Sequence, residues 1–216
     1  MKFVVHLVIA AAAVAAAVTG CANPERSRDL ANPVVSATVI AQQVCSSCHG
    51  MTGVSISPNF PNLAAQVPAY LAAQLNEYRS HDRSDPAGFQ YMWGLSRSLT
   101  DAQIAGLAQY YASQAPARGA ASAGDDPHRA AGEKLFREGV VARNVPACMA
   151  CHGEHGQGQA AFPRLAGQHA DYVVKQLAVF QRGDERPQGA VMKAIAHDLT
   201  QQDIENVAAY VESLAP

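Results

Sequence analysis

The hydrophobic positions of this chain fall into helical stripes, and the stripes come twice. In "PAYLAAQLNEY" Leu71, Leu75 and Tyr78 share one face of a helix, and "ADYVVKQLAVF" places Val173, Leu177 and Phe180 in the same way. Further on, Ile104, Leu107 and Tyr111 form a stripe behind Thr100, with Gln103 three residues after the threonine in the pattern of a capping box. Ile204, Val207 and Val211 repeat that stripe behind Thr200. "SATVIAQQVC" predicts a short helix, and "PHRAAGEKLFREG" predicts another, with Ala131, Leu135 and Phe136 apolar and Gly139 as its stop. Neither half has the alternating β-branched runs of a sheet, so the pattern predicts an all-α fold.

The two sets of helices are copies of one unit. "NFPNLAAQVPAYLAAQLNEY" aligns with "AFPRLAGQHADYVVKQLAVF", pairing Pro61 with Pro163, Leu63 with Leu165, Gln66 with Gln168 and Tyr70 with Tyr172, each 102 residues apart. Met92 and Met192, Leu99 and Leu199, Ile104 and Ile204, and Tyr110 and Tyr210 are each 100 residues apart, so small gaps account for the drift. The same order of features over so many positions marks an internal duplication. Between the copies lies a stretch rich in Ala, Gly, Ser and Pro without apolar periodicity, which reads as a linker. The predicted organisation is domain 1 over 34–113, a linker over 114–127, and domain 2 over 128–216.

The first residues belong to neither copy. Lys2 is followed by an Ala/Val-rich run that closes in small residues, the layout of a secretory signal over 1–20. The run is close to the length of a membrane span, but it is mostly Ala and carries His6. Val18-Thr19-Gly20-Cys21 looks like a bacterial lipobox, which makes Cys21 the lipid-bearing first residue of the mature protein and 21–33 a polar, Pro-bearing tether. The formal net charge is −2 and no basic stripe occurs, which excludes a nucleic-acid partner on electrostatic grounds.

With Cys21 assigned to lipid, the other cysteines form two C-x-x-C pairs, each followed by His: "CSSCH", with Cys45, Cys48 and His49, and "CMACH", with Cys148, Cys151 and His152. Two thiols at this spacing can add to the two vinyl groups of one haem, and the adjoining histidine can then bind its iron. A zinc site built from both pairs needs its second pair about 15–20 residues after the first, far closer than the duplication allows. A redox dithiol expects a βαβ context that is absent. Two covalently held haem c groups are therefore the expected cofactors.

Met92 and Met192 recur at equivalent places, each seven residues before the leucine of a Leu-Thr pair that opens the last helix, and are the candidates for the sixth iron position. Met51 and Met149 have no repeat partner, and neither do His81, His155, His169 and His197, which read as surface histidines. A ligating histidine needs its second ring nitrogen satisfied. Pro61 and Pro163 follow the two histidines at nearly fixed distance, so their carbonyls are expected to accept from His49 and His152.

With these motifs the chain resembles dihaem cytochrome c of the cytochrome c4 type, from about Val34 to the C-terminus. The phrases "CHGEHGQGQAAFPRLAGQHADYVVKQL" and "LTQQDIENVAAYVESL" carry the resemblance most closely. It implies two class I cytochrome c domains, each a few helices around one haem, packed as pseudo-symmetric partners. It also implies periplasmic electron transfer with redox proteins such as a quinol–cytochrome c reductase, a dehydrogenase or a terminal oxidase. The lipid anchor departs from the usual soluble member. So does "HDRSDPAGFQYMWG", longer and more aromatic than its counterpart "GDERPQGAVMKA". A neutral thioether ligand favours ferrous iron, and iron with both axial positions filled has no open coordination site, so a carrier is expected ahead of an enzyme. The alternatives are a cytochrome subunit fixed to a dehydrogenase or oxidase, and a dihaem oxidoreductase of thiosulfate dehydrogenase or peroxidase type.

Overall fold

The computed structural model describes residues 24–119 and 126–215; the predicted signal segment and Cys21 lie outside them. Among the described residues the regular elements are helical, with two isolated bridges, Val140 with Val145 and Gln159 with Phe162.

In the first half, α1 (Ala37–Ile40) starts at Ser36, whose hydroxyl accepts from the Val39 amide at 3.3 Å. It runs through a π-helical turn, Ala41–Cys45, into α2 (Ser46–His49). Helix α3 (Pro68–Ser80) begins with proline at its first position, where no amide hydrogen is needed. A bent segment follows: α4 (Pro86–Gly88), a second π-helical turn (Phe89–Trp93) and α5 (Gly94–Ser96). Helix α6 (Asp101–Ala112) opens on the capping box of Thr100 and Gln103. Helices α1 and α3 both pack on α6, burying Ile40, Leu71, Leu99, Ile104, Leu107 and Tyr111. Each such side chain contributes about 1.5–3 kcal/mol.

The second half repeats this frame with α7 (Pro127–Glu138), a 3₁₀ turn (Val141–Arg143), α8 (Met149–His152), α9 (Ala170–Arg182), a 3₁₀ turn (Pro187–Gly189), α10 (Ala190–His197) and α11 (Gln201–Ser213). Its core takes Leu135 and Phe136 from α7, Val173, Leu177 and Phe180 from α9, and Ile204, Val207 and Val211 from α11.

Two details differ from the sequence pattern. Ala131 is exposed, and the small residue turned inward on α7 is Gly132. A Cβ there would stand 2.0 Å from the Asn206 carbonyl oxygen, so the missing side chain is what lets α7 cross α11 closely. Helix α7 also starts at Pro127, inside the composition-defined linker. Asp126 caps it by accepting from the His128 amide at 2.9 Å. Linker composition tells of conformational freedom, but an Asp-Pro pair is itself a helix start.

Candidate functional site

Cysteines and histidines of the two motifs sit on short helical turns. Residues i, i+3 and i+4 of a helix share a face, which puts Cys45, Cys48 and His49 on one side, and Cys148, Cys151 and His152 on one side in the other half. Gly50 and Gly153, with φ of 76° and 86°, stop both turns immediately after the histidine, where a side chain would be strained. None of the four cysteines is paired in a disulfide, and burial pushes the thiols of Cys45 and Cys148 up to about 11.

Both histidines are buried, with 7% and 5% of their surface exposed. His49 Nδ1 lies 2.9 Å from the Pro61 carbonyl oxygen, and His152 Nδ1 lies 2.9 Å from that of Pro163. A carbonyl can only accept, so each Nδ1 carries its hydrogen and each Nε2 keeps its lone pair. Burial moves both imidazoles to lower pKa, against the opposing pull of the proline carbonyl, so both rings are neutral at pH 7. Phe60 and Phe162 meet these rings edge-on, with centroids 6.2 Å and 6.0 Å apart.

The loop that carries each proline is anchored twice, and identically in the two halves. Amides of Leu63 and Ala64 donate to the Gly53 carbonyl, as those of Leu165 and Ala166 do to Gly156. The amide of Ala65 then donates to Tyr111 at the end of α6, and that of Gly167 to Val211 near the end of α11. These bonds hold the ligand-orienting carbonyls on the core helices.

Met92 lies in the π-helical turn Phe89–Trp93, and Met192 on α10; both are half-buried, and Met192 packs against the core of its half. Around Met92 the surroundings are aromatic: Tyr91 meets Phe60 at 5.8 Å, and Trp93 stacks on Phe89 and meets His81 at 4.3 Å. The corresponding stretch of the second half has no such cluster among the ring contacts.

In each half a thiol pair on one helical face and a neutral imidazole with Nε2 free to bind iron fit a covalently attached haem. In the second half, Nε and one terminal nitrogen of Arg164, the residue after Pro163, are buried without a hydrogen-bond partner. An anionic group such as a haem propionate would satisfy them.

Side chains that the periodicity did not single out join the halves. Gln66 Nε2 donates to the Arg164 carbonyl at 3.0 Å, while the Arg164 amide donates to Gln66 Oε1 at 2.6 Å. Gln168 does the same to Asn62, at 2.9 and 2.8 Å. Nearby, Arg83 and Arg186 each donate to both Gln74 Oε1 and Gln176 Oε1, at 2.6–3.1 Å. His169, read from sequence as a surface residue, instead bridges the halves by donating from Nε2 to the Ser55 carbonyl at 3.0 Å. The available signal was the repetition of Gln66 as Gln168, a polar residue kept in both copies with no helical stripe to explain it.

Comparison with known proteins bears on both halves. The family model described as cytochrome c matches residues 36–115 and again 129–215. Cytochrome c-552 of Acidithiobacillus ferridurans is 41% identical over 79% of this chain and 73% of its own length. Cytochrome c4 of Azotobacter vinelandii is 40% identical over 79% of this chain and 84% of its own. Among solved structures, cytochrome c4 of Acidithiobacillus ferrooxidans superposes with a TM-score of 0.73 at 40% identity, covering 79% of this chain and 98% of that one.

Proposed function

The chain belongs to the cytochrome c family, and from that premise we propose that it is a periplasmic, membrane-tethered relay passing single electrons between respiratory proteins. It is a dihaem electron-transfer cytochrome, and its cofactors are two haem c groups. When bound, each group supplies a one-electron ferric/ferrous couple.

In this reading Cys45 and Cys48 hold the first haem by thioether bonds, with His49 and Met92 on its iron. Cys148, Cys151, His152 and Met192 do the same for the second. Pro61 and Pro163 orient the two histidines. The observation that carries the reading is the duplicated geometry in which a buried, neutral imidazole has Nδ1 fixed by a proline carbonyl and Nε2 left for a metal. Met92 and Met192 filling the sixth position leave no open coordination site for a substrate, which favours a carrier over a catalyst. Donors and acceptors of the quinol–cytochrome c reductase, dehydrogenase or terminal oxidase kind suit a one-electron relay with two centres in one chain.

Export and tethering rest on 1–20 as a signal and Cys21 as the lipidated residue, both outside the described residues. No helix among the described residues is long and apolar enough to cross a membrane. A single acyl anchor binds reversibly unless a second signal assists it.

The deciding measurement is haem counting on protein matured in a host competent for cytochrome c. Two covalent haems per chain, low-spin with an iron–methionine charge-transfer band in the ferric state, support the reading. A high-spin component would shift it towards an enzyme, and absence of covalent haem would overturn it. Fractionation of Cys21→Ala beside the parent tests the tether: membrane association should be lost while haem content stays.

A further inference from the structure

Gln66 and Gln168 lie outside both Cys-x-x-Cys-His motifs, yet each reaches the amide that orients the other half's histidine. The Pro61 carbonyl and the Asn62 N–H belong to one peptide group. That carbonyl accepts from His49 Nδ1 at 2.9 Å, and that N–H donates to Gln168 Oε1 at 2.8 Å. In the opposite direction, the Pro163 carbonyl accepts from His152 Nδ1 at 2.9 Å, and the Arg164 N–H of the same peptide donates to Gln66 Oε1 at 2.6 Å. Two hydrogen-bond chains therefore cross the interface, each starting on a glutamine of one half and ending on the histidine of the other.

The glutamine amides are unambiguous in orientation. Gln168 Oε1 also accepts from its own neighbour's amide, His169, at 3.1 Å, and Gln66 Oε1 from Val67 at 2.9 Å. Each Nε2 donates to a carbonyl, so the opposite orientation would set donor against donor. Both side chains are buried, which shields these bonds from water.

A peptide whose N–H is engaged by an acceptor is polarised, and its carbonyl becomes the stronger acceptor in turn. Stronger acceptance at Nδ1–H raises the basicity of the ring as a metal ligand. We propose that Gln66 and Gln168 are positioning residues that set the ligand strength of the haem-binding histidine in the opposite half, so that each haem's potential depends on a side chain of the other domain. The inference rests on His49 and His152 being the iron ligands.

The test uses the holoprotein and the variant Gln168→Met, which keeps the side-chain volume and removes the acceptor. The two haems are titrated separately by following their assigned methyl resonances during a redox titration. A less basic His49 stabilises ferric iron less, so the potential of the first haem should rise. A change of about threefold in the ferric-to-ferrous ratio at fixed poise is expected for loss of one cooperative bond. That is about 28 mV at 59 mV per tenfold for a one-electron couple. The second haem should hold its potential, and the His49 ring N–H resonance should move while that of His152 stays.

Gln66→Met should give the mirrored result, moving the second haem and the His152 resonance. Gln168→Glu keeps an oxygen acceptor, so the first haem should not rise in potential. It also decides the matter if Gln168→Met fails to mature, together with Gln66→Met. Unmoved potentials, a shift confined to the glutamine's own half, an equal shift of both haems as a loosened interface would give, or a rise in Gln168→Glu would each overturn the proposal. The ligand reading is checked apart from it: a parent protein without low-spin haem sinks the ligation, whereas low-spin haem with no crossed shift sinks only the glutamine role.

Discussion

Arg83 donates from Nε to Asp85 Oδ1 at 2.6 Å, and both side chains are almost wholly shielded from solvent. Arg186 lies close by, because the two guanidiniums share the oxygens of Gln74 and Gln176. Burial opposes ionisation of Asp85, but the neighbouring Arg83 and Arg186 charges prevail and hold its carboxyl below the ordinary range. Asp85→Asn leaves a buried cation uncompensated and should cost about 3 kcal/mol at neutral pH. Denaturant unfolding of the holoprotein checks this. A depressed carboxylate stabilises above its unfolded pKa and loses that stabilisation on acidification, so the deficit of the variant should shrink as pH falls.

Glu77 belongs to the same buried group and behaves in the opposite sense. Burial raises its pKa, and the nearby Arg186 and Arg83 only partly offset this. Ionising Glu77 therefore costs folded-state stability as pH rises. Glu77→Gln keeps an acceptor for Gln74, now 3.0 Å away. Its stability relative to the parent should improve over the pH range that begins at the unfolded carboxylate value of about 4.3. A constant difference across that range would show that Glu77 is no strain on the interface.

Asp203 joins two local devices at the start of α11. Its Oδ2 accepts from Arg143 at 2.6 Å and from the amide and hydroxyl of Thr200 at 2.8 and 2.6 Å. The Arg143 hydrogen bond chiefly holds its carboxyl down, to about 2. Its stabilisation is present above the unfolded value of about 3.9 and disappears as pH falls through about 2. Asp203→Asn should cost about 1 kcal/mol at neutral pH and flatten acid unfolding between those values, as followed by circular dichroism.

The two methionines are tested singly. Met92→Ala and Met192→Ala should each keep two covalent haems, lose about half of the iron–methionine charge-transfer intensity, and bind one carbon monoxide per reduced chain. A variant with the full band intact removes its methionine from the ligand set.

Gly132 sets how closely α7 and α11 approach. Gly132→Ala drives a methyl group into the Asn206 backbone, 2.0 Å from the added carbon, and should cost about 1–3 kcal/mol. Thermal unfolding checks it, with Ala131→Ser on the exposed neighbouring position staying within about 0.5 kcal/mol of the parent.

Much of this protein was legible in its sequence because the governing interactions are local. Helical stripes at Ile104, Leu107 and Tyr111, and again at Ile204, Val207 and Val211, need only the 3.6-residue period to be read, and those residues are buried. Thr100 and Thr200 cap helices through bonds that span three residues. The Cys-x-x-Cys-His turns and the duplication are likewise spacings along the chain. Only the tertiary structure decided that Gln168 grips Asn62 and Gln66 grips Arg164, and that Arg83 and Arg186 are buried together. Those partners are about 100 residues apart, and a polar side chain in a loop carries no periodic mark of the surface it will meet. The inward turn of Gly132 in place of Ala131 has the same origin. Local pattern sets a helix's apolar side only to within a residue, and the partner helix's backbone determines which small residue must face it.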